Sequence, residues 1–440
     1  MRIGVRVTDE AVSGAGRRPG GDFEFAARAV DGDLPGAVEA VLMTLAASCP
    51  APVASVVFDV SRALAREPGA GVVSVLIEPR HPAEPRPHLW RAADLPVTVT
   101  NVQGGHGALG NELIPLEEPA LHRLAAAIPR GAHVVVSAAG SLVSPDHERR
   151  AAEILRAGSR SGSITQSSSF YSESLLVREY TAVQNALLLG SSERLAAQLA
   201  DAVAQSVGPD ARAYVATNEG GCTPLNRLPI TPVHSLRSNV AGEMIGAATV
   251  AGRTAGRVIV ARPGAARIGE FIDGLPSVVT RTVLADGTPL ASSFAHVVPL
   301  TDLLVSGSAD PPYTVLAHGA IDELAPFGLT PAVTTEVDLI AVGAAVVPMS
   351  YWHNRVARVT SASEVDGALR EGEAIARANL VASGADPLAV RIPESRVVAT
   401  TYGEAQMVNI RIRGIAATPG SAMPGTSDPA APGTTDRAAA

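Results

Sequence analysis

The apolar positions of this chain fall into two spacings that take turns along it. Met1 to Val7 alternates apolar and charged residues and predicts a strand. Thr8 to Gly21 is rich in Gly and Arg and reads as a loop, and Phe23 to Val30 as an outer strand. Leu34 to Ser48 carries Val38, Val41, Leu42 and Leu45 at helical spacing. Val53 to Phe58 and Gly71 to Ile77 are apolar runs of strand length, and Val97 to Val102 and His133 to Ser137 follow the same form. Ser61 to Arg66 reads as a short helix, and Glu78 to Pro96 as a loop rich in Pro, His and Arg. Ser144-Pro145-Asp146-His147-Glu148 opens a helix with a capping serine and early acids, which predicts a solvated first turn.

Beyond residue 165 the alternation continues. Arg178 to Leu188 predicts one helix and the stretch from Ser192 a second. Ala213 to Thr217 predicts a strand, Asn218-Glu219-Gly220-Gly221 a turn, and the stretch up to Gly252 a helix. Two strands, Arg257 to Val260 and Ile268 to Ile272, precede a hairpin turn at Asp273-Gly274. Val278 to Leu284 is another strand, and Val337 to Val347 a small apolar helix. Ser361 with Glu364 forms a capping box for a helix that ends at Gly384. Strands at Val397 to Ala399 and Met407 to Ile412 close the pattern, and a disordered tail poor in large apolar residues runs from Thr418 to Ala440. Strands alternating with helices over 440 residues predict an α/β protein of more than one domain.

Composition narrows the chemistry. No lysine occurs, so lysine Schiff bases, a lysine general base and a phosphate-loop lysine are excluded. The net charge of −8 and the lack of a dense basic cluster argue against nucleic acid and anionic lipid as partners. Cys49 and Cys222 stand far apart, so no zinc framework forms. No apolar run is long enough to span a bilayer, and the expected location is the cytoplasm.

Several segments carry a resemblance. The opening Met1-Arg2-Ile3-Gly4-Val5, the turn Gly104-Gly105-His106-Gly107, the run Leu142 to Leu155, the Arg178-Glu179-Tyr180 helix and Gly384-Ala385-Asp386-Pro387 resemble the hydantoinase A/5-oxoprolinase family. The resemblance implies two actin-like (RNase H-like) lobes with mixed sheets. It divides the chain into an N-terminal lobe over 1–170, a C-terminal lobe over 171–417 and a tail over 418–440. In that family two Asp-x-Gly-Gly-Thr-x-x-Asp hairpins hold the phosphates and metal of ATP. Here the first hairpin has Arg6 and Ser13 in place of its aspartates and Thr8-Asp9 in place of its glycines. The second has Val260 and Arg267 in place of its aspartates and Arg262-Pro263 in place of its glycines.

These replacements imply that neither ATP nor Mg²⁺ binds. The leading expectation is a degenerate subunit, a scaffold or regulatory partner of a hydantoinase B-like subunit in a cyclic-amide hydrolase-type system. The alternatives are an ATP-independent hydrolase of small cyclic amides that uses the cleft between lobes, and a purely structural protein. No metal ligand set is recognised. The candidate catalytic residues are His106, Asn218 and Glu219, and convergence of polar groups near them in one pocket favours the hydrolase. Ser167 to Ser169 sits in no nucleophile elbow, and Tyr351-Trp352-His353 is the densest aromatic patch.

Overall fold

The computed structural model describes residues 1–18, 21–65, 71–79, 96–301, 313–319, 322–399 and 407–419. The expected loop at Glu78 to Pro96, the end of the expected helix at Arg66 and the tail beyond Pro419 fall mostly or wholly outside the described residues. The described helices are α1 (Leu34–Ala47), α2 (Glu118–Ala127), α3 (Asp146–Gly158), α4 (Leu175–Ser206), α5 (Ser238–Val250), α6 (Leu339–Val346) and α7 (Ala362–Ala382). They pack on mixed sheets, and the chain is an α/β protein as its alternating pattern predicts.

The largest sheet has nine strands in the order Arg391–Ala399, Met407–Ala416, Met349–Arg358, Cys222–Pro224, Arg212–Ala216, Ser55–Asp59, Arg2–Val7, Ala11–Arg17 and Phe23–Ala29. A four-stranded parallel sheet joins Ser163–Gln166, His133–Ala138, Val72–Glu78 and Val97–Gln103. A third sheet is built on the hairpin Gly256–Arg262 with Ala265–Ile272, flanked by Tyr313–His318. Within the nine-stranded sheet Ser55–Phe58 pairs in parallel with Arg212–Val215, so segments from both sides of residue 170 share it.

Three local expectations change. Ala11–Arg17, read as part of a loop, is a strand paired with Arg2–Val7. Its small residues are what the packing needs, because a Cβ on Gly14 would lie 2.7 Å from Val41 of α1. The break expected before Ser192 is absent, and α4 runs unbroken for 32 residues. Ser191 and Ser192 each donate back to the carbonyl three residues earlier, and Leu195 and Leu199 keep the buried face going. His147 and Glu148 are buried rather than solvated. Glu148 accepts from Ala138 N, Ser167 Oγ and Ser168 N at 2.7–2.9 Å, so its buried carboxyl oxygens are matched by three donors. Asp273 and Gly274 both have positive φ, as the predicted two-residue hairpin turn requires.

Glycine contacts fix the core next to the site. On α5 a Cβ at Gly246 would lie 1.8 Å from Leu339 O, and on α6 one at Gly343 would lie 2.1 Å from Gly242 O. The two helices meet backbone to backbone. At Gly4, α6 presses the same way on the strand Arg2–Val7. Arg2, fully buried, completes this junction by donating to Ala344 O in the last turn of α6 and to Val347 O just beyond it. At the other end of the chain, Thr418 is buried and Ser55 Oγ donates to Pro419 O at 2.7 Å, so order extends at least to Pro419.

Gly246→Ala is expected to cost more than about 3 kcal/mol, beyond the usual range for overpacking, because backbone rather than a side chain must move. Gly367→Ala on α7, where nothing lies within 4 Å, is expected to be neutral or to stabilise by about 0.5–1 kcal/mol. Urea unfolding of the two variants beside the parent chain checks this contrast.

Candidate functional site

The main cavity encloses about 590 Å³. Its walls come from Ser141 and Ser168 to Tyr171, which follow the parallel sheet, and from Thr217 and Glu219 beyond the strand Arg212–Ala216. The turn Pro232–Ser235, the strand Pro289–Ala295 and the strand Met349–Arg358 complete them. Ligand crevices in open α/β sheets form at such carboxyl ends of parallel strands. Serine, threonine and tyrosine hydroxyls dominate the lining, with Glu219, His234, Arg227 and Trp352 among them.

Glu219 sits in the turn after the strand Arg212–Ala216 and is 5 % exposed. Thr217 Oγ1 donates to its Oε1 at 2.7 Å. Burial pushes its pKa up, and the Arg413 guanidinium opposes that shift. Gly221 makes room for the carboxylate, since a Cβ there would meet Ser350 at 2.2 Å and Glu219 Oε1 at 3.1 Å.

Asn218 is a structural node. Its Nδ2 donates to Val233 O at 2.9 Å, and its Oδ1 accepts from Arg237 N at 2.7 Å. Its backbone N donates to His234 O and its O accepts from Ala295 N. Both faces of its amide are therefore occupied. It lines a separate pocket of about 280 Å³ with Arg237 and Arg281.

His106 lies elsewhere and lines neither pocket. Its ring centroid is 4.2 Å from that of His147. Gly105 N donates to His147 Nδ1, and His147 Nε2 faces Glu112 Oε1 at 2.9 Å. Burial, with the neighbouring His147, pushes the His106 pKa down. Of the three residues proposed from sequence, Glu219 lines the larger cavity, Asn218 lines the separate pocket, and His106 lines neither.

The two expected hairpins are present as backbone. In the first, Arg6 Nη1 meets Asp338 Oδ2 at 3.3 Å and Ser13 Oγ donates to the same oxygen. Asp338 also caps α6 through Ile340 N and Ala341 N. Thr8 closes its own turn onto Ala11, and Asp9 is exposed. In the second, Val260 is core, Pro263-Gly264 forms the turn, and Arg262 and Arg267 face Glu243 of α5 at 3.6 and 3.8 Å. Asp59, at the end of the strand Ser55–Asp59, accepts from Ser61 and Ser238. Burial pushes its pKa up. Among the described residues no cluster of three or more His, Cys, Asp or Glu side chains is arranged to hold a metal.

Two lining residues were not singled out from sequence. His234 and Ser292 come from different elements, and no motif joins them. His234 Nδ1 and Ser292 Oγ are 2.6 Å apart. Burial drives the His234 pKa down to about 4, so the imidazole is neutral at physiological pH.

No protein-family model matches the chain. No curated protein matches it by sequence. Solved structures do match. A nucleotide-free acetone carboxylase structure, from work on ATP-dependent acetone carboxylation, aligns with TM-score 0.67 at 12% identity, over 94% of this chain and 88% of that one. An ATP-dependent caprolactamase from Pseudomonas jessenii aligns with TM-score 0.68 at 12% identity, over 94% and 87%. The chain shares their fold. No described helix is long and apolar enough to cross a membrane.

The His234 shift sets a pH dependence. Its folded pKa lies below the ordinary 6.5, so between 6.5 and about 4 the unfolded chain binds the extra proton. This group's contribution is whole above 6.5 and is lost as pH falls toward about 4. Denaturant titrations over that range are expected to show a smaller loss of stability in His234→Gln than in the parent. Parallel curves for the two proteins would contradict the buried neutral imidazole.

Proposed function

We propose that this chain binds a small cyclic amide in the 590 Å³ cavity and hydrolyses it without ATP. The observation that carries this reading is the convergence of a buried carboxyl, Glu219, and a neutral imidazole, His234, on one hydroxyl-lined space. The substrate class rests on two supports: the family resemblance of the sequence and the fold shared with a caprolactamase.

The residues at the hairpins do not fit a magnesium nucleotide. Arg6 stands where a metal-binding carboxylate is needed, and Asp338 is already engaged by Arg6, Ser13 and the first amides of α6. Pro263 offers no N–H to a phosphate. Glu243 occupies Arg262 and Arg267. A polyphosphate entering here would shed water without enough donors to replace it. A partnership with a hydantoinase B-like subunit is part of the same proposal, since the resemblance implies a two-subunit system.

Thermal-shift titration separates the two ligands. ε-Caprolactam is expected to raise the melting temperature saturably, with about 2.7 kcal/mol of stabilisation at a hundredfold excess over Kd. Glu219→Gln is expected to weaken that effect. Mg²⁺-ATP at millimolar concentration is expected to leave the melting temperature unchanged. Saturable Mg²⁺-ATP stabilisation abolished by Arg262→Ala would contradict the reading and give the arginines the phosphate-binding role.

A further inference from the structure

The cavity wall at Ser292 has an irregularity that strand pairing alone does not require. In the two-stranded sheet, Val279 pairs with Phe294 and Arg281 with Ala291. Thr280 alone therefore faces two residues, Ser292 and Ser293. This is a β-bulge, a device that turns side chains off the regular alternation and is frequent beside active sites. Both serines line the cavity, although neighbours on a regular strand point to opposite faces.

The imidazole that meets this bulge is held from several sides. His234 lies in the turn Pro232–Ser235, whose backbone is tied to Asn218 through His234 O and Val233 O. Asn185 Oδ1 accepts from Val233 N at 3.4 Å, and His234 N donates to Thr231 O. The Phe170 ring lies 5.9 Å from the imidazole. On the serine side, Ala291 N donates to Thr181 Oγ1 at 2.8 Å, one residue before Ser292. Hydrogen bonds thus anchor the main chain on both sides of the 2.6 Å contact.

We propose that Ser292 and His234 form a nucleophile and base pair that opens a carbonyl compound bound in this cavity. This deepens the proposed function and rests on it. Ser292 Oγ forms a bond to the carbonyl carbon, and its proton passes to His234 Nδ1. The tetrahedral adduct then breaks its C–N bond, and His234 returns the proton to the leaving nitrogen. In a lactam that nitrogen stays tethered as the ring opens. Water next attacks the acyl ester, His234 accepts its proton, and the C–O bond to Ser292 breaks with the proton returned to Oγ. The sum is one water consumed per ring opened, with no cosubstrate. Without ATP to drive it, the reaction must be downhill by itself. The substrate class is therefore a strained or activated lactam, or the corresponding lactone.

A second pair, His133 Nδ1 with Ser163 Oγ at 2.7 Å, has the same side-chain contact but does not line the cavity, and serves as an internal control. The test treats the full chain with a fluorophosphonate, whose P–F bond breaks as a serine O–P bond forms, and locates the adduct by peptide mass spectrometry. Labelling is expected at Ser292. Ser163→Ala is expected to keep it and Ser292→Ala to remove it. His234→Gln is expected to slow it by about 10²-fold or more, the usual contribution of a positioned base. A wild-type protein that folds, binds ε-caprolactam and remains unlabelled at Ser292 would overturn the dyad and leave the binding reading intact. Labelling at Ser292 with no stabilisation by ε-caprolactam or by a strained four-membered lactam would uphold the dyad and overturn the cyclic-amide reading.

Discussion

One face of α4 holds both sides of the cavity. Thr181 and Asn185 lie four residues apart, one above the other on the helix surface. Thr181 Oγ1 accepts from Ala291 N, beside Ser292. Asn185 accepts from Val233 N and donates to Ile230 O, beside His234. One turn earlier, Arg178 donates to Ala138 O and Ser141 Oγ, and Glu179 accepts from Ser74 Oγ. A helix interior that is this polar is costly unless each group is matched, because an unmet buried partner loses about 1–3 kcal/mol. Arg178, Glu179, Thr181 and Asn185 find partners on four separate segments that must meet for the cavity to exist, while the amide of Gln184, buried on the same helix, has no protein partner. The second half of the helix is apolar in the usual way, with Leu195, Leu199 and Val203 packed in the core that contains α1.

The two hairpins follow the opposite logic. Their charged side chains are closed on one another. Asp338 takes Arg6 and Ser13, Glu243 takes Arg262 and Arg267, and Asp59 takes Ser61 and Ser238. These contacts tie the two hairpins to α5 and α6, whose glycine-to-glycine approach fixes their spacing. On the proposed reading, groups that would serve a nucleotide elsewhere in this fold serve packing here, and chemistry moves to the neighbouring cavity.

Much of this was legible in the chain. Apolar spacing located most helices and the buried strands, the Asp273-Gly274 turn was foreseen from its residue pair, and Ser361 caps α7 through Glu364 N as its motif implies. Glu219 was marked by a turn motif and does line the cavity. What was not legible depends on tertiary partners. A Gly-rich stretch became the strand Ala11–Arg17 because α1 lies close above it. Gly190 and two serines did not interrupt α4, because its burial on both sides outweighs local propensity. The Ser292 and His234 pair is separated by 58 positions and depends on a bulge, which no periodicity displays.

Hydrogen–deuterium exchange measured with ε-caprolactam, and again with Mg²⁺-ATP, tests the central claim that the cavity and not the pair of hairpins is the working site. The account predicts that the lactam slows exchange in Thr217 to Glu219, in Pro232–Ser235 and in Pro289–Ala295, while the nucleotide changes nothing. Slowed exchange at residues 6–13 and 260–267 with Mg²⁺-ATP, together with no effect of the lactam on the cavity walls, would contradict it.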